Sequence, residues 1–218
     1  AADCPDCGTP LERQNGEAQH FCPNAEHCPP QIKGRIEHFI HRRAMDVDGI
    51  GIETVDRLVD LGWVRTPADL YDLGAAGWAR LDKFKEKSVA NALASLEASR
   101  SIPYERVLFA LGIRHVGETV AKKLAKAFTH MDRLAAASMD DLIAVPDVGP
   151  QIAVSIASWM CDPEHQRELS RLKAHGLQME KAASAGGASA VLEGQTFVVS
   201  GVFTHFSRDG IKDAVEQH

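Results

Sequence analysis

The sequence predicts a mainly α-helical protein: a small four-cysteine metal module, then four copies of a two-helix unit in two pseudo-dimeric pairs, then the truncated start of a small α/β domain. Three observations carry this reading. Four of the five cysteines, Cys4, Cys7, Cys22 and Cys28, crowd the start of the chain. One apolar pattern recurs four times at nearly equal spacing, around Gly51, Lys85, Gly117 and Gly149. A short strand-like run follows a linker of small residues near the end of the 218-residue chain. The expected boundaries are 1–32 for the metal module, 33–180 for the repeats, 181–190 for the linker and 191–218 for the incomplete α/β part.

Cys4-Pro5-Asp6-Cys7-Gly8 is a C-x2-C-G knuckle, with Gly8 suited to the positive φ that follows two thiolates turned toward one ion. Cys22 and Cys28 supply a second pair. Four thiolates suit tetrahedral Zn2+ and leave no open position for catalysis. A module of this size has almost no core, so the metal supplies its folding energy. His20 and His27 lie close enough to replace one thiolate. Cys161, alone downstream, reads as a small buried residue on a helix. An odd, clustered cysteine count argues against a secreted disulfide framework and for a reducing compartment.

The repeats are anchored at Gly51, Lys85, Gly117 and Gly149. One before each anchor stand Ile50, Phe84, Val116 and Val148; four before, Val47, Leu81, Ile113 and Val145. Four after stand Val55, Val89, Ala121 and Ala153; seven after, Leu58, Ala92, Leu124 and Ile156; eight after, Val59, Leu93, Ala125 and Ala157. All twenty are apolar, and offsets of four, seven and eight mark one face of a helix. Each unit therefore reads as helix, tight hairpin, helix. Asp48-Gly49-Ile50-Gly51 is the fullest hairpin, Asp147-Val148-Gly149-Pro150 the next; Arg114-His115-Val116-Gly117 keeps one glycine and Asp82-Lys83-Phe84-Lys85 none.

These copies resemble the helix-hairpin-helix family. The resemblance implies a phosphate site at each hairpin, where amides at a helix N-terminus and the positive end of its dipole meet an anion. Expected DNA-binding residues are Gly49, Gly51, Lys85, Lys87, Arg114, His115, Gly117, Lys122 and Gly149, with His115 either meeting phosphate or capping its turn. Amide contacts also answer the charge balance: 24 Lys and Arg against 30 Asp and Glu leave −6, unlike the usual basic nucleic-acid binder. Such contacts position a duplex without reading its bases.

After the small-residue stretch 181–190, Gln195-Thr196-Phe197-Val198-Val199-Ser200-Gly201 reads as a strand and 208–217 as a helix. This resembles the opening of a BRCT domain. No run approaches the roughly 20 apolar residues of a membrane span. The polar start Ala1-Ala2-Asp3-Cys4 does not read as a signal peptide, and its lack of an initiator Met fits a fragment or a processed chain.

Taken in order, C-x2-C-x14-C-x5-C, the four repeats and the BRCT-like start are similar to the C-terminal half of bacterial NAD-dependent DNA ligases. Cys22-Pro23-Asn24, Met45-Asp46-Val47-Asp48-Gly49-Ile50-Gly51 and Ala110-Leu111-Gly112-Ile113-Arg114-His115-Val116-Gly117-Glu118-Thr119 carry the likeness. The resemblance implies nick sealing in DNA replication and repair, with AMP taken from NAD onto a lysine of a Lys-x-Asp-Gly motif. Asp-Gly occurs only at Asp48-Gly49 and Asp209-Gly210, preceded at the lysine position by Asp46 and Ser207. No catalytic residue is therefore expected here, and the chain alone is expected to be inactive. NAD and Mg2+ would belong to an N-terminal catalytic half of the same polypeptide. The implied partner is nicked or duplex DNA, held by a cytoplasmic, nucleoid-associated monomer with no membrane. A free-standing repair or recombination protein with the same hairpins, and a protein-interaction scaffold, are the rival readings.

Overall fold

The computed structural model describes residues 2–13, 18–82 and 84–182, with isolated positions 197, 198, 211 and 215. The BRCT-like start expected at 191–218 falls, apart from those four positions, outside the described residues, as does Lys83. The chain divides into two compact units, Ala1–Lys181 and Ala182–His218.

Eleven helices follow one another among the described residues of the first unit: α1 Pro29–Ile40, α2 Ile52–Asp60, α3 Pro67–Asp72, α4 Gly74–Ala79, α5 Glu86–Ser99, α6 Tyr104–Ala110, α7 Glu118–Ala127, α8 Met131–Ala135, α9 Met139–Ile143, α10 Pro150–Cys161 and α11 Pro163–Ala174. β-pairing among the described residues is confined to isolated bridges, Asp3 with Pro10, Glu12 with Phe21 and His130 with Glu180. Four helix pairs, α1/α2, α4/α5, α6/α7 and α9/α10, are the four repeats. Of the twenty apolar repeat positions, sixteen are buried, and Val59, Phe84, Leu93 and Ala157 pack half-buried against the same core. Burying that stripe is what holds each pair shut, at roughly 25 cal/mol per Å² of apolar surface.

The same turn recurs with the pattern. The amide one before the anchor donates to the carbonyl four before it in three copies: Phe84 to Leu81 at 3.0 Å, Val116 to Ile113 at 2.9 Å and Val148 to Val145 at 3.0 Å. Two before the anchor the backbone is left-handed at Gly49 (φ 81°), His115 (φ 67°) and Asp147 (φ 66°). A histidine and an aspartate there occupy a conformation that glycine adopts without cost.

The repeats associate in two pairs related by one rule: the residue six after each anchor faces the partner's hairpin. Arg57 reaches Asp82 at 2.8 Å, and Asn91 lies beside Gly49. Lys123 pairs with Asp147, and Ser155 lines a groove with Arg114 and His115. The pairs are joined where α1 packs on α6 and where α11 returns to α3. Arg171 of α11 donates to Asp69 at 2.5 Å and also binds Asp72, while His175 meets Asp72 at 2.7 Å.

Cys161 ends α10 exposed, not buried as expected. The buried face of α10 runs through Ala153, Ile156 and Met160, and the next residue is turned about 100° away from it. No helix among the described residues is long and apolar enough to cross a membrane.

Candidate functional site

The first knuckle closes through Gly8, whose amide donates to the Cys4 carbonyl at 2.9 Å and whose φ is 72°. The second forms where the Cys28 amide donates to the Asn24 carbonyl at 2.9 Å, with Cys28 also the N-cap of α1. One ligand is thereby built into the first helix of the repeats. The four Sγ atoms lie within 4.8 Å of one another, with Cys4–Cys28 at 3.9 Å and Cys7–Cys22 at 3.5 Å. A tetrahedron with metal–sulfur bonds of ~2.3 Å has edges of roughly 3.8 Å, so the donor set fits such an ion. The grouping contains neither His20 nor His27.

The thiols are unequal. Thr9, whose hydroxyl is 3.2 Å from Cys7 Sγ, draws that thiol down to about 6, while desolvation pushes Cys22 up to about 12 and raises Cys28. Holding four thiolates together costs energy that a divalent cation offsets. The module is moored to the repeats: Arg35 of α1 donates to Glu26 at 2.6 Å, His165 of α11 lies 3.7 Å from the same carboxylate, and the Arg114 guanidinium sits 5.7 Å from the centre of the Phe21 ring.

At the hairpins, the four anchors share one geometry. Gly51, Lys85, Gly117 and Gly149 are the N-caps of α2, α5, α7 and α10, with φ between −87° and −81° and ψ between 170° and 177°. None of these N-termini has a side-chain cap. Among the other helices α8, α9 and α11 have one, where His130 accepts from Asp132 N, Ser138 from Asp141 N and Asp162 from Glu164 N, whereas α1, α4 and α6 do not. Each uncapped end presents amides and the positive end of a dipole.

Gly51, Gly117 and Gly149 need be glycine for no internal reason. Their φ is ordinary, and a Cβ built on any of them meets nothing within 4 Å. Gly49 is different, since its φ of 81° does favour glycine.

All nine expected contact residues are exposed. Arg114, His115 and Gly117 line a groove of about 530 Å³ against α1. Arg114 and His115 line another, of about 660 Å³, with Pro150 and Gln151 of α10, which joins the third and fourth hairpins. Lys85 and Lys87 border a separate groove of about 800 Å³. Sequence reasoning missed Arg43 and Arg57, which the fold brings to hairpin carboxylates: Arg43 to Glu118 at 3.3 Å and Arg57 to Asp82 at 2.8 Å. The offset of six shared by Arg57 and Lys123 was a readable signal for Arg57; Arg43 was marked only as the end of the basic run 33–43.

A closed four-thiolate module joined to hairpins with open helix N-termini defines a zinc-finger and helix-hairpin-helix protein. Residues 3–29 match the C4 zinc finger domain of NAD-dependent DNA ligase, and residues 106–169 match the helix-hairpin-helix motif. A DNA ligase of Parabacteroides distasonis is 50% identical over 99% of this chain, and those of Phocaeicola vulgatus and Bacteroides fragilis are 48% and 47% identical over the same share. This chain spans 32% of the length of each. The likeness to these DNA ligases thus runs along almost the whole chain and takes in about a third of each relative's length.

Proposed function

We propose that this segment grips duplex DNA for an NAD-dependent ligase, without reading sequence, so that a catalytic half elsewhere in the polypeptide seals nicks in replication and repair. The observation that carries it is the set of four uncapped helix N-termini in one conformation, three of them fronted by glycines with no internal need to be glycine. A surface that keeps amides open and side chains away suits an oxyanion arriving from outside, and phosphodiesters recur along DNA.

Gly49, Gly51, Gly117 and Gly149 allow close approach, while Lys85 and Lys87 substitute charge at the degenerate second hairpin. Arg114, His115 and Lys122 flank the others. Cys4, Cys7, Cys22 and Cys28 hold one structural Zn2+ that fixes the start of α1. NAD and Mg2+ act in the catalytic half, and the segment contributes by positioning the nick ends. In domain terms, residues 1–32 are the zinc finger, 33–180 the repeats, 181–190 a linker and 191–218 an incomplete BRCT-like part. The working form is a cytoplasmic, nucleoid-associated monomer.

Fluorescence anisotropy of a nicked duplex and its sealed counterpart, titrated with this chain across a salt series, tests the reading. Comparable binding to both, indifferent to sequence, is the expected result. Absence of binding at low salt, or self-adenylation of the chain with NAD, would overturn it.

A further inference from the structure

All four hairpins carry a carboxylate that an arriving phosphate would have to face; Asp48 of the first is in none of the ion pairs among the described residues, and the other three are. Asp82 lies in the second hairpin, Glu118 is the first helical residue after Gly117, and Asp147 is the left-handed residue of the fourth. Each is held by a cation from another repeat: Arg57 of α2 at 2.8 Å from Asp82, Arg43 of the α1–α2 connection at 3.3 Å from Glu118, and Lys123 of α7 on Asp147. None of the three pairs is sealed from water. The cation side chains are 42%, 65% and 34% exposed, and their carboxylates 78%, 45% and 63%.

The Arg43 pair is also presented by a braced backbone. Arg106 of α6 donates to the Arg42 carbonyl at 2.5 Å and to the Arg43 carbonyl at 3.2 Å. That anchors the connection and leaves the Arg43 guanidinium turned to the third hairpin.

We infer that Arg43, Arg57 and Lys123 are DNA phosphate ligands that exchange partners, leaving Glu118, Asp82 and Asp147 for the backbone of a bound duplex. The inference rests on the DNA-gripping reading and deepens it. Solvent-exposed pairs are weak in water, so a polyanion that adds several contacts at once can take the cation. In the DNA-free protein the carboxylates satisfy these cations and keep the hairpin face from being strongly basic, in keeping with a net charge of −6. The carboxylates thus set how tightly DNA is held, and the cations supply the salt dependence that amides alone lack.

The test compares single variants by anisotropy on a sealed duplex across a potassium chloride series. Arg43→Ala, Arg57→Ala and Lys123→Ala are each expected to weaken binding and to lower the slope of log K against log salt by about 0.9. Glu118→Gln, Asp82→Asn and Asp147→Asn keep the shape and release the cation. They are expected to tighten binding by roughly three- to tenfold at low salt, from the removal of one nearby negative charge. Lys173→Ala, which breaks an ion pair with Asp132 outside the hairpins, should leave the slope unchanged. Unchanged slopes in the three cation variants, weaker binding in the carboxylate variants, or an equal effect of Lys173→Ala would each defeat the exchange while the DNA reading stands. If the unmodified chain shows no salt-dependent binding, the DNA reading itself fails and the exchange with it.

Discussion

Replacing Gly149 with aspartate should make the protein more stable and a worse DNA binder, a combination that only an N-terminus kept open for a ligand explains. The same chain supplies the template for the stabilising half. Asp162-Pro163-Glu164 opens α11 with the Asp162 carboxylate accepting from Glu164 N at 2.8 Å. Gly149-Pro150-Gln151 opens α10 with proline at the same place, no acidic residue in the first turn, and no atom within 4 Å of a new Cβ. An aspartate at 149 would cap the Gln151 amide in the same way. Glycine is only a few tenths of a kcal/mol poorer than aspartate as an N-cap, and a carboxylate at the dipole adds ~0.3–1 kcal/mol. The sum is about 0.5–1 kcal/mol, equivalent to roughly 1–4 °C in Tm for a chain of this size.

Binding should move the other way. The new carboxylate takes the amides a phosphate would use and repels it; two unit charges 4 Å apart near a protein surface interact by up to ~4 kcal/mol. A loss of about tenfold or more is expected, since the duplex can shift to relieve part of that energy. Gly149→Ala separates the two effects, because alanine is a poor N-cap and should lower stability by up to ~1 kcal/mol while also weakening binding. Thermal melts and anisotropy on the three proteins suffice. A stabilised Gly149→Asp protein that binds duplex as well as the unmodified one would show that α10 is not a phosphate site. A destabilised one would show that its N-terminus is not open to a cap.

Stripping the metal with a strong chelator should release the segment ahead of α1 to proteolysis while the helical repeats stay resistant, since all eleven helices begin at or after Pro29; loss of most of the far-UV helical signal would mean that the metal holds the repeats as well. Glu168 is buried on α11, and desolvation pushes it up to about 7 against the pull of Arg35 and His165. A carboxyl raised in the folded state favours folding while protonated, so its contribution is lost as pH climbs from about 4.5 toward and beyond 7, on the order of 3 kcal/mol in total. Urea unfolding at pH 5 and pH 8 should show Glu168→Gln removing that decline; parallel pH profiles for both proteins would refute it. The Tyr104 hydroxyl is buried with no hydrogen-bond partner. Tyr104→Phe should therefore be neutral or stabilising by up to ~1 kcal/mol in the same assay, and a loss beyond ~1 kcal/mol would reveal a bond to that hydroxyl.

The repeats were legible because burial leaves a periodic trace: Val55, Leu58 and Val59 sit on one helical face whatever the rest of the fold does. The metal cluster was legible because thiolate chemistry permits few alternatives to Cys4, Cys7, Cys22 and Cys28. What escaped depends on pairs distant in sequence. Arg43 meets Glu118 across 75 residues and Arg171 meets Thr66 across 105, so no local pattern marks them. Cys161 was misplaced because residue type was weighed without its angular position on α10. At Gly49 the left-handed backbone favours glycine, whereas at Gly51, Gly117 and Gly149 only open space in front of the backbone distinguishes it.

That difference bears on how an acidic chain can hold a polyanion. At α9 and α11 the N-terminus is capped by a side chain, Ser138 and Asp162. Where a hairpin precedes the helix the side-chain cap is missing all four times, which gives up about a few tenths of a kcal/mol at each glycine. Packing cannot be the cause, because nothing lies within 4 Å of the missing side chain at any of the three glycines. General flexibility is not the cause either, since ψ stays between 170° and 177° at all four anchors. On the proposed reading, fixed amides with the hairpin carboxylates Asp82, Glu118 and Asp147 each held by a cation would attract phosphate locally in a chain of net charge −6. A grip of this kind acts only at contact range, so it should add little to long-range steering of DNA and act mainly on how long a docked duplex stays.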